Sequence, residues 1–302
     1  MPPRPDHHYP GSLRRRTAGM LVAMLALATW LPPHLQPAWA ATPARTSSAA
    51  PAHIATLRVE DQGGRWLVWA DNQLAGPAEV LVDFTESRNV RARPALPARA
   101  TLPAGGSRVV SVVEQGDGPG EPRFRLQVRS LPGAPGTQPE NTLYRFPLAD
   151  GSARVDQGYG GSFSHQDAEN RYALDLAVPQ GTPVLAARDG LVMQVDASHR
   201  GDGGAAGGAS GNFVRVLHRD GSMALYAHLQ PGGVLVTPGW EVRTGDRIGL
   251  SGDTGYTTGP HLHFAVQVNR GMQLASIPFR MDGLPVGGQA AAGERLRTRS
   301  GP

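Results

Sequence analysis

The chain contains no cysteine. That excludes disulfides, thiolate zinc sites and cysteine nucleophiles. Any bound metal must therefore be held by histidine, aspartate or glutamate. Lysine is missing as well, so every one of the 29 Lys+Arg residues is arginine. We read this as compositional bias of the genome rather than function. No segment is long and apolar enough for a comfortable membrane span. A strong overall charge is absent too. The net charge is +4, but residues 1–40 hold Arg4, Arg14, Arg15 and Arg16 against Asp6, and the remainder is nearly neutral. No global basic field exists to suit a nucleic acid, and no such partner is expected.

What is plentiful is glycine (39) and proline (27), broadly spread through 302 residues. Such punctuation favours many turns and short strands over long helices. Hydrophobic residues make up 40%, enough for a substantial core, and the length accommodates two domains. No internal repeat is found.

Residues 1–40 have the order of a secretory signal peptide. Arg14-Arg15-Arg16 is followed by the apolar run Ala18–Ala28, then Pro32-Pro33, then the small-x-small site Ala38-Trp39-Ala40 before Ala41. The consecutive arginines hint at twin-arginine export, though the residues after them fit that signal poorly. The expectation is an exported protein of the periplasm or cell envelope, with no membrane span after signal cleavage; an uncleaved membrane anchor is the alternative. Residues 41–52 read as a flexible linker of Ala, Thr, Pro and Ser.

From 53 to 148, short apolar or alternating runs recur between turn signals. Ile54–Val59, Trp66–Ala70, Ala78–Phe84, Ser107–Val113, Phe124–Val128 and Thr142–Phe146 are the expected strands. That spacing suggests a small antiparallel β-sandwich, immunoglobulin-like in outline. Nothing there clusters into a catalytic set. The expected role is spacing, substrate presentation or docking to a cell-envelope protein, with a purely structural domain as the equal alternative.

The chemistry lies in residues 149–282. In Gly259-Pro260-His261-Leu262-His263-Phe264-Ala265-Val266, apolar Leu262, Phe264 and Val266 alternate with His261, His263 and Ala265. That is the period of a strand, on which residues i and i+2 share a face roughly 6–7 Å apart. Two adjacent imidazoles pack poorly unless a metal or a proton transfer uses them. In Tyr172–Ala177, Asp175 falls among alanines on one strand face, where a carboxylate needs a partner or a metal. Taken alone, Asp175 is better read as a structural hydrogen-bonding residue. Phe213–Leu217 and Met223–Leu229 flank an Arg219-Asp220-Gly221-Ser222 hairpin turn. Simple alternation puts Tyr226 and His228 on one face, while His218, beside the turn, reads as structural. The polar loop Gly249–Gly259 either lines a cleft or is a mobile turn. Jointly, Asp175, His228, His261 and His263 supply the donors of an oxygen/nitrogen zinc site with an open position.

These residues resemble the lysostaphin-type (LytM-like) zinc metallopeptidases, which cut peptide bonds in bacterial peptidoglycan. The resemblance rests on Tyr172-Ala173-Leu174-Asp175, Gly181-Thr182-Pro183-Val184, Ala186–Gly190, Leu225-Tyr226-Ala227-His228-Leu229, Gly252-Asp253-Thr254-Gly255 and Gly259–Phe264, in family order across about 160–270. It implies an all-β fold, with the β-sandwich followed by a barrel-sandwich of the duplicated-hybrid-motif type. It also implies one zinc ion per chain, with Asp175 and His263 as ligands and His228 and His261 as the catalytic histidines. Tyr226 and Thr258 are the candidate substrate-binding residues, and a peptidoglycan peptide is the expected substrate. One position departs from the family. The first histidine ligand usually lies four residues before the aspartate, where this chain has Arg171, which stays protonated and cannot bind zinc. His165 is the nearest upstream histidine. The reading adopted is that Asp167–Asn170 loop out and let His165 serve as the third metal ligand. The competing reading is a degenerate site in a non-enzymatic regulator or peptidoglycan-binding protein. A secreted peptidase for ordinary proteins is a third, weaker possibility. Gly201–Gly211 is expected as a mobile loop at the groove rim, or as a simply tolerated insertion, and 283–302 as a disordered tail.

Overall fold

The computed structural model describes residues 53–201, 211–285 and 289–298. The expected signal peptide, the linker and most of the glycine-alanine insertion lie outside the described residues. Every described element is a strand, with no helix among them. Accordingly, no helix among the described residues is long and apolar enough to cross a membrane.

The first seven strands are β1 (Ala55–Asp61), β2 (Arg65–Asn72), β3 (Ala78–Arg88), β4 (Val90–Arg93), β5 (Ala98–Leu102), β6 (Ser107–Gln115) and β7 (Arg123–Pro132). They form two antiparallel sheets, ordered β1-β2-β6-β4 and β5-β3-β7. Alternation along each strand turns Val68, Ala70, Val80, Val82, Leu102 and Val113 into the space between them. Phe124 closes one end, edge-on to Trp66 and Phe84. The sequence reading missed β4 and β5. Their alternation runs over only four and five residues, and Pro94 and Pro97 interrupt the stretch between them.

The remaining strands are β8 (Leu143–Tyr144), β9 (Ser152–Gln157), β10 (Leu174–Ala177), β11 (Pro183–Leu185), β12 (Gly190–Asp196), β13 (Asn212–Leu217), β14 (Met223–Val234), β15 (Glu241–Val242), β16 (Arg247–Ser251), β17 (His261–Asn269), β18 (Leu274–Ser276), β19 (Arg280–Met281) and β20 (Arg295–Arg297). Eight of them make the ladder β15-β12-β13-β14-β17-β10-β9-β20, with β16 joining β14 to β11 and β18 beside β17. The ladder ends on β15 and β20 and is not closed into a ring. One face of this sheet, carrying Leu174, Leu176, Val214, Val216, Tyr226 and Phe264, folds over the main core. The other face carries the polar cluster described below.

A separate apolar cluster joins the first strands to the large sheet. Leu74 and Ala78 pack there with Met193, Met223 and Leu274. The expected disordered tail needs correction for its described part. Leu296 is 2% exposed in the main core, and β20 pairs with β9 through Arg295–Arg154 and Arg297–Ser152. A single apolar residue in a three-residue strand leaves no periodicity to detect.

Candidate metal centre

Strands β10 and β17 are antiparallel neighbours, and their register sets Asp175 directly opposite His263. Their side chains meet on the face away from the core, with His263 Nδ1 2.9 Å from Asp175 Oδ1. His261, two residues earlier on β17, points to the same face, and its Nε2 lies 3.7 Å from the same oxygen. Leu262 and Phe264 point the other way into the core. The alternation expected from Gly259–Val266 is therefore realised.

His165 arrives from a tight segment before β10. Its backbone N–H donates to Gly161 C=O at 3.0 Å, and the side chain is fully buried. Nδ1 lies 2.8 Å from Gly158 C=O, so Nδ1 carries a proton and Nε2 is the nitrogen left to face Asp175. Burial opposes protonation of the ring, but Asp175 beside Nε2 raises its pKa, and a metal ion at Nε2 would take the place of that proton. Nε2 sits 3.3 Å from Asp175 Oδ1 yet has no hydrogen-bond partner of proper geometry. The segment is pinned by Gln157, which the sequence reading missed. Gln157 Nε2 donates to Asp175 Oδ2 at 3.0 Å and to Ser164 Oγ at 2.8 Å, while its Oε1 accepts the Phe163 N–H at 2.8 Å. Gly161 makes this approach possible, because a Cβ there would stand 2.0 Å from Gln157 Cγ. Arg171, at the family's usual ligand position, is exposed and its backbone N–H bonds Asp167 C=O.

One donor atom each from His165, Asp175 and His263 lie within 4.8 Å of one another, all in buried residues. Two imidazole nitrogens and a carboxylate oxygen are the donor set of an open, catalytic-type divalent metal site. His165 Nε2 is aimed into this cluster without a hydrogen bond of good geometry, so the residues fit a metal ion. Burial opposes ionisation of Asp175, but hydrogen bonds from His165 and His263 and the proximity of the His263 and His261 rings hold its carboxyl well below the usual carboxylate range.

His228 stands beside the cluster for an unusual reason. On β14, Ala227 pairs with Phe213 and Leu229 with Asn212, so His228 is an extra residue in the ladder. It adopts φ +62°, a left-handed conformation that costs a non-glycine residue about 1 kcal/mol or more. The bulge is held by Thr254, whose C=O lies 2.7 Å from His228 Nδ1 and whose Oγ1 donates to Leu229 C=O at 2.7 Å. Asn212 completes it by donating from its backbone N–H to Thr254 Oγ1. The His228 ring lies 4.7 Å from that of His261 and 5.7 Å from that of His263. Burial first, then the proximity of His263 and His261, pushes its pKa down to about 3. His228 is thus a neutral imidazole with Nε2 as its proton acceptor. His261 also commits its Nδ1 to a backbone carbonyl, that of Gly259 at 2.8 Å.

The bulge also corrects the expectation for Tyr226. An extra residue inverts the alternation, so Tyr226 and His228 face opposite ways. Tyr226 is fully buried in the main core, and its hydroxyl accepts the Ala187 N–H at 2.8 Å. It does not reach the cleft. Thr258 does, in a cavity of about 600 Å³ that also takes in Asp175 and His261. A second cavity of about 410 Å³ lies on the other side, with His228, His263, Arg215 and Gln267 in its walls. Phe163 and Tyr256, from the two flanking loops, stack face to face at 5.1 Å.

Residues 169–274 match the family model described as Peptidase family M23. The chain is 37% identical over 97 residues to an uncharacterized metalloprotease of Buchnera aphidicola, covering 32% of this chain and 23% of that protein. It is 42% identical over 132 residues to the peptidoglycan DD-endopeptidase ShyA of Vibrio cholerae, covering 43% and 28%. It is 37% identical over 113 residues to the glycyl-glycine endopeptidase ALE-1 of Staphylococcus capitis, covering 37% and 28%. The chain thus spans between a fifth and a third of the length of these relatives.

Proposed function

Since residues 169–274 form a Peptidase family M23 domain, we propose that this protein is an exported zinc metalloendopeptidase that hydrolyses peptide bonds in peptidoglycan. In this reading, β1–β7 are an accessory β-sandwich. The expected boundary at 148 moves back, because β8 pairs with β19 and Tyr144, Phe146 and Leu148 pack in the main core, and the peptidase domain extends past 282 to take in β20. The observation that carries it is the position of His165. Its buried Nε2 lies beside Asp175 and His263, supplying the donor that Arg171 cannot.

His165 Nε2, Asp175 and His263 Nδ1 would hold the zinc ion. Zinc bound there would supply Lewis acidity, making water a competent nucleophile near neutral pH and polarising the scissile carbonyl. His228 and His261 do the proton work. Each has Nδ1–H committed to a backbone carbonyl, so Nε2 is the atom that accepts a proton from the attacking water. The same nitrogen returns that proton to the leaving amine as the C–N bond breaks. Burial of both rings in the cleft wall keeps competing water away from these nitrogens.

The second reading is a metal-free regulator or wall-binding protein, and Arg171 is what favours it. Metal analysis of the purified protein, with digestion of isolated cell wall with and without a chelator, separates the two. About one zinc per chain and chelator-sensitive release of wall fragments support the enzyme. Metal-free protein that binds wall and releases nothing supports the regulator. Export is tested by the N-terminus of the protein recovered from the envelope, which should begin at Ala41.

A further inference from the structure

The 410 Å³ cavity beside the metal cluster holds a feature that hydrolysis does not need. Its floor is the outer face of β13, β14 and β17. Phe213, Ala227 and His263 form one cross-strand row, and Arg215, Leu225 and Ala265 form the next. Small side chains at Ala227 and Ala265 leave room above the sheet. Arg215 is 7% exposed and Gln267 1%. Arg215 Nη1 donates to Gln267 Oε1 at 2.6 Å, and Gln267 Nε2 donates to Glu169 C=O at 3.0 Å. The amide is thereby fixed with its oxygen toward the guanidinium.

Gln267 occupies one of five guanidinium donors. Nε is buried without a partner, and the guanidinium lies 5.8 Å from the Phe213 ring centroid. No carboxylate among the described residues forms an ion pair with Arg215, and Glu169 acts on it only at longer range. Burial lowers its pKa to about 10, against the effect of Glu169, so it remains a cation at neutral pH. A buried, clamped cation with an incompletely used fork is costly in a free protein. It is matched by a ligand that brings a carboxylate, which a guanidinium binds through two parallel hydrogen bonds.

We propose that Arg215, positioned by Gln267, is a specificity determinant that binds a free carboxylate on the substrate peptide close to the scissile bond. Two strands and two residues separate the Arg215 and His263 Cα atoms, or about 12 Å from standard sheet spacings. The arginine side chain reaches back over part of that distance. With about 3.8 Å between consecutive Cα atoms, the carboxylate belongs to a residue within about two positions of the cleaved bond. The substrate class is thus a wall peptide with an unamidated carboxyl group beside the cross-link, as opposed to a bridge of plain glycines. This assignment rests on the peptidase reading of the neighbouring cluster.

The test uses two fluorescently labelled cross-linked peptides, identical except that the carboxylate beside the scissile bond is a carboxamide in one. Binding to the metal-free full chain is read by fluorescence anisotropy, and kcat/KM is read on the zinc-loaded protein. The wild type should prefer the carboxylate peptide roughly 10- to 100-fold, the range of a hydrogen-bonded charge pair. Arg215→Gln should bind both peptides equally, and Arg215→Lys should keep only part of the preference. Equal binding of the two peptides by the wild type overturns the proposal whether or not the variants fold. So does a preference that survives in Arg215→Gln, or failure of the wild type to bind either peptide. A wild-type binding preference without cleavage of either peptide supports the Arg215 assignment and rejects the peptidase reading instead.

Discussion

Replacing His165 with alanine puts the metal centre to its sharpest test. The side chain is fully buried, its Nδ1 is committed to Gly158 C=O, and its Nε2 faces Asp175 without a hydrogen bond of good geometry. Four-ligand protein zinc sites bind with about 10–16 kcal/mol, or roughly 2.5–4 kcal/mol per ligand when shared evenly. Loss of one protein ligand of three should therefore weaken zinc about 10²- to 10³-fold by the relation of 1.4 kcal/mol per decade. Competition against a calibrated zinc-chelating dye measures this directly, free of any assumption about the substrate. Thermal melts with and without zinc supply a second readout, because a ligand that binds only the folded state raises Tm. The zinc-dependent rise should vanish in the variant while its metal-free melt remains cooperative. Arg171→His should not rescue His165→Ala, since Arg171 is exposed and its segment is anchored through Asp167. Wild-type zinc affinity in His165→Ala would refute the ligand assignment. Rescue by Arg171→His would show that this segment shifts to the usual family geometry.

Three further outcomes follow from the same geometry. His228→Gln removes a proton acceptor from beside the cluster, and should lower kcat on wall peptides about 10²- to 10⁴-fold while zinc content stays near one per chain; loss of zinc together with activity would count against a proton-transfer role. Phe163→Ala removes the stack with Tyr256, and if that stack must open to admit an extended peptide, its worth of about 0.5–1.5 kcal/mol predicts a gain of roughly 2- to 12-fold in kcat/KM; a decrease would make the pair a binding surface. His218 is pushed down to about 4, by burial first and by Arg188 as well, although Asp189 C=O accepts its Nδ1–H. A histidine lowered in this way contributes its full stability above the unfolded value near 6.5 and loses it as pH falls toward 4. The native state should therefore lose about 2 kcal/mol between pH 7 and pH 5 from this group alone. The urea midpoint of His218→Gln should fall less over that interval than that of the wild type, and equal falls would refute the assignment.

Much of the large sheet was legible because buried antiparallel strands write their register as alternation. Leu262, Phe264 and Val266 against His261, His263 and Ala265 place two imidazoles on one face, and Leu174 and Leu176 do the same for Asp175. The hairpin between β13 and β14 was legible from Arg219–Ser222, and Leu217 does pair with Met223. Illegible were the short strands, whose pattern runs over three to five positions with few large apolar residues. β4 and β5 gain their place by pairing with β6 and β3. β20 is held by β9 and by the burial of one leucine.

The candidate metal centre shows a stricter limit. Alternation presumes a regular ladder, and a single inserted residue reverses every inference beyond it. His228 is such a residue, and nothing in Leu225-Tyr226-Ala227-His228-Leu229 announces it. The cause lies elsewhere in the chain, in Thr254 and Asn212, whose hydrogen bonds hold the extra residue in its left-handed conformation. Thr254→Val, which deletes the hydroxyl but keeps the shape, should therefore disturb His228 without touching any proposed metal ligand. The bulge would lose the bond to Leu229 C=O and the acceptor for the Asn212 N–H, and relaxation toward a regular ladder would carry His228 out of the cleft. Zinc affinity should stay within a fewfold of wild type while kcat falls nearly as far as in His228→Gln. In the double variant the two losses should not add, because both remove the same proton acceptor. Additive losses would mean that Thr254 acts on something other than His228, and the bulge would then be incidental to the chemistry.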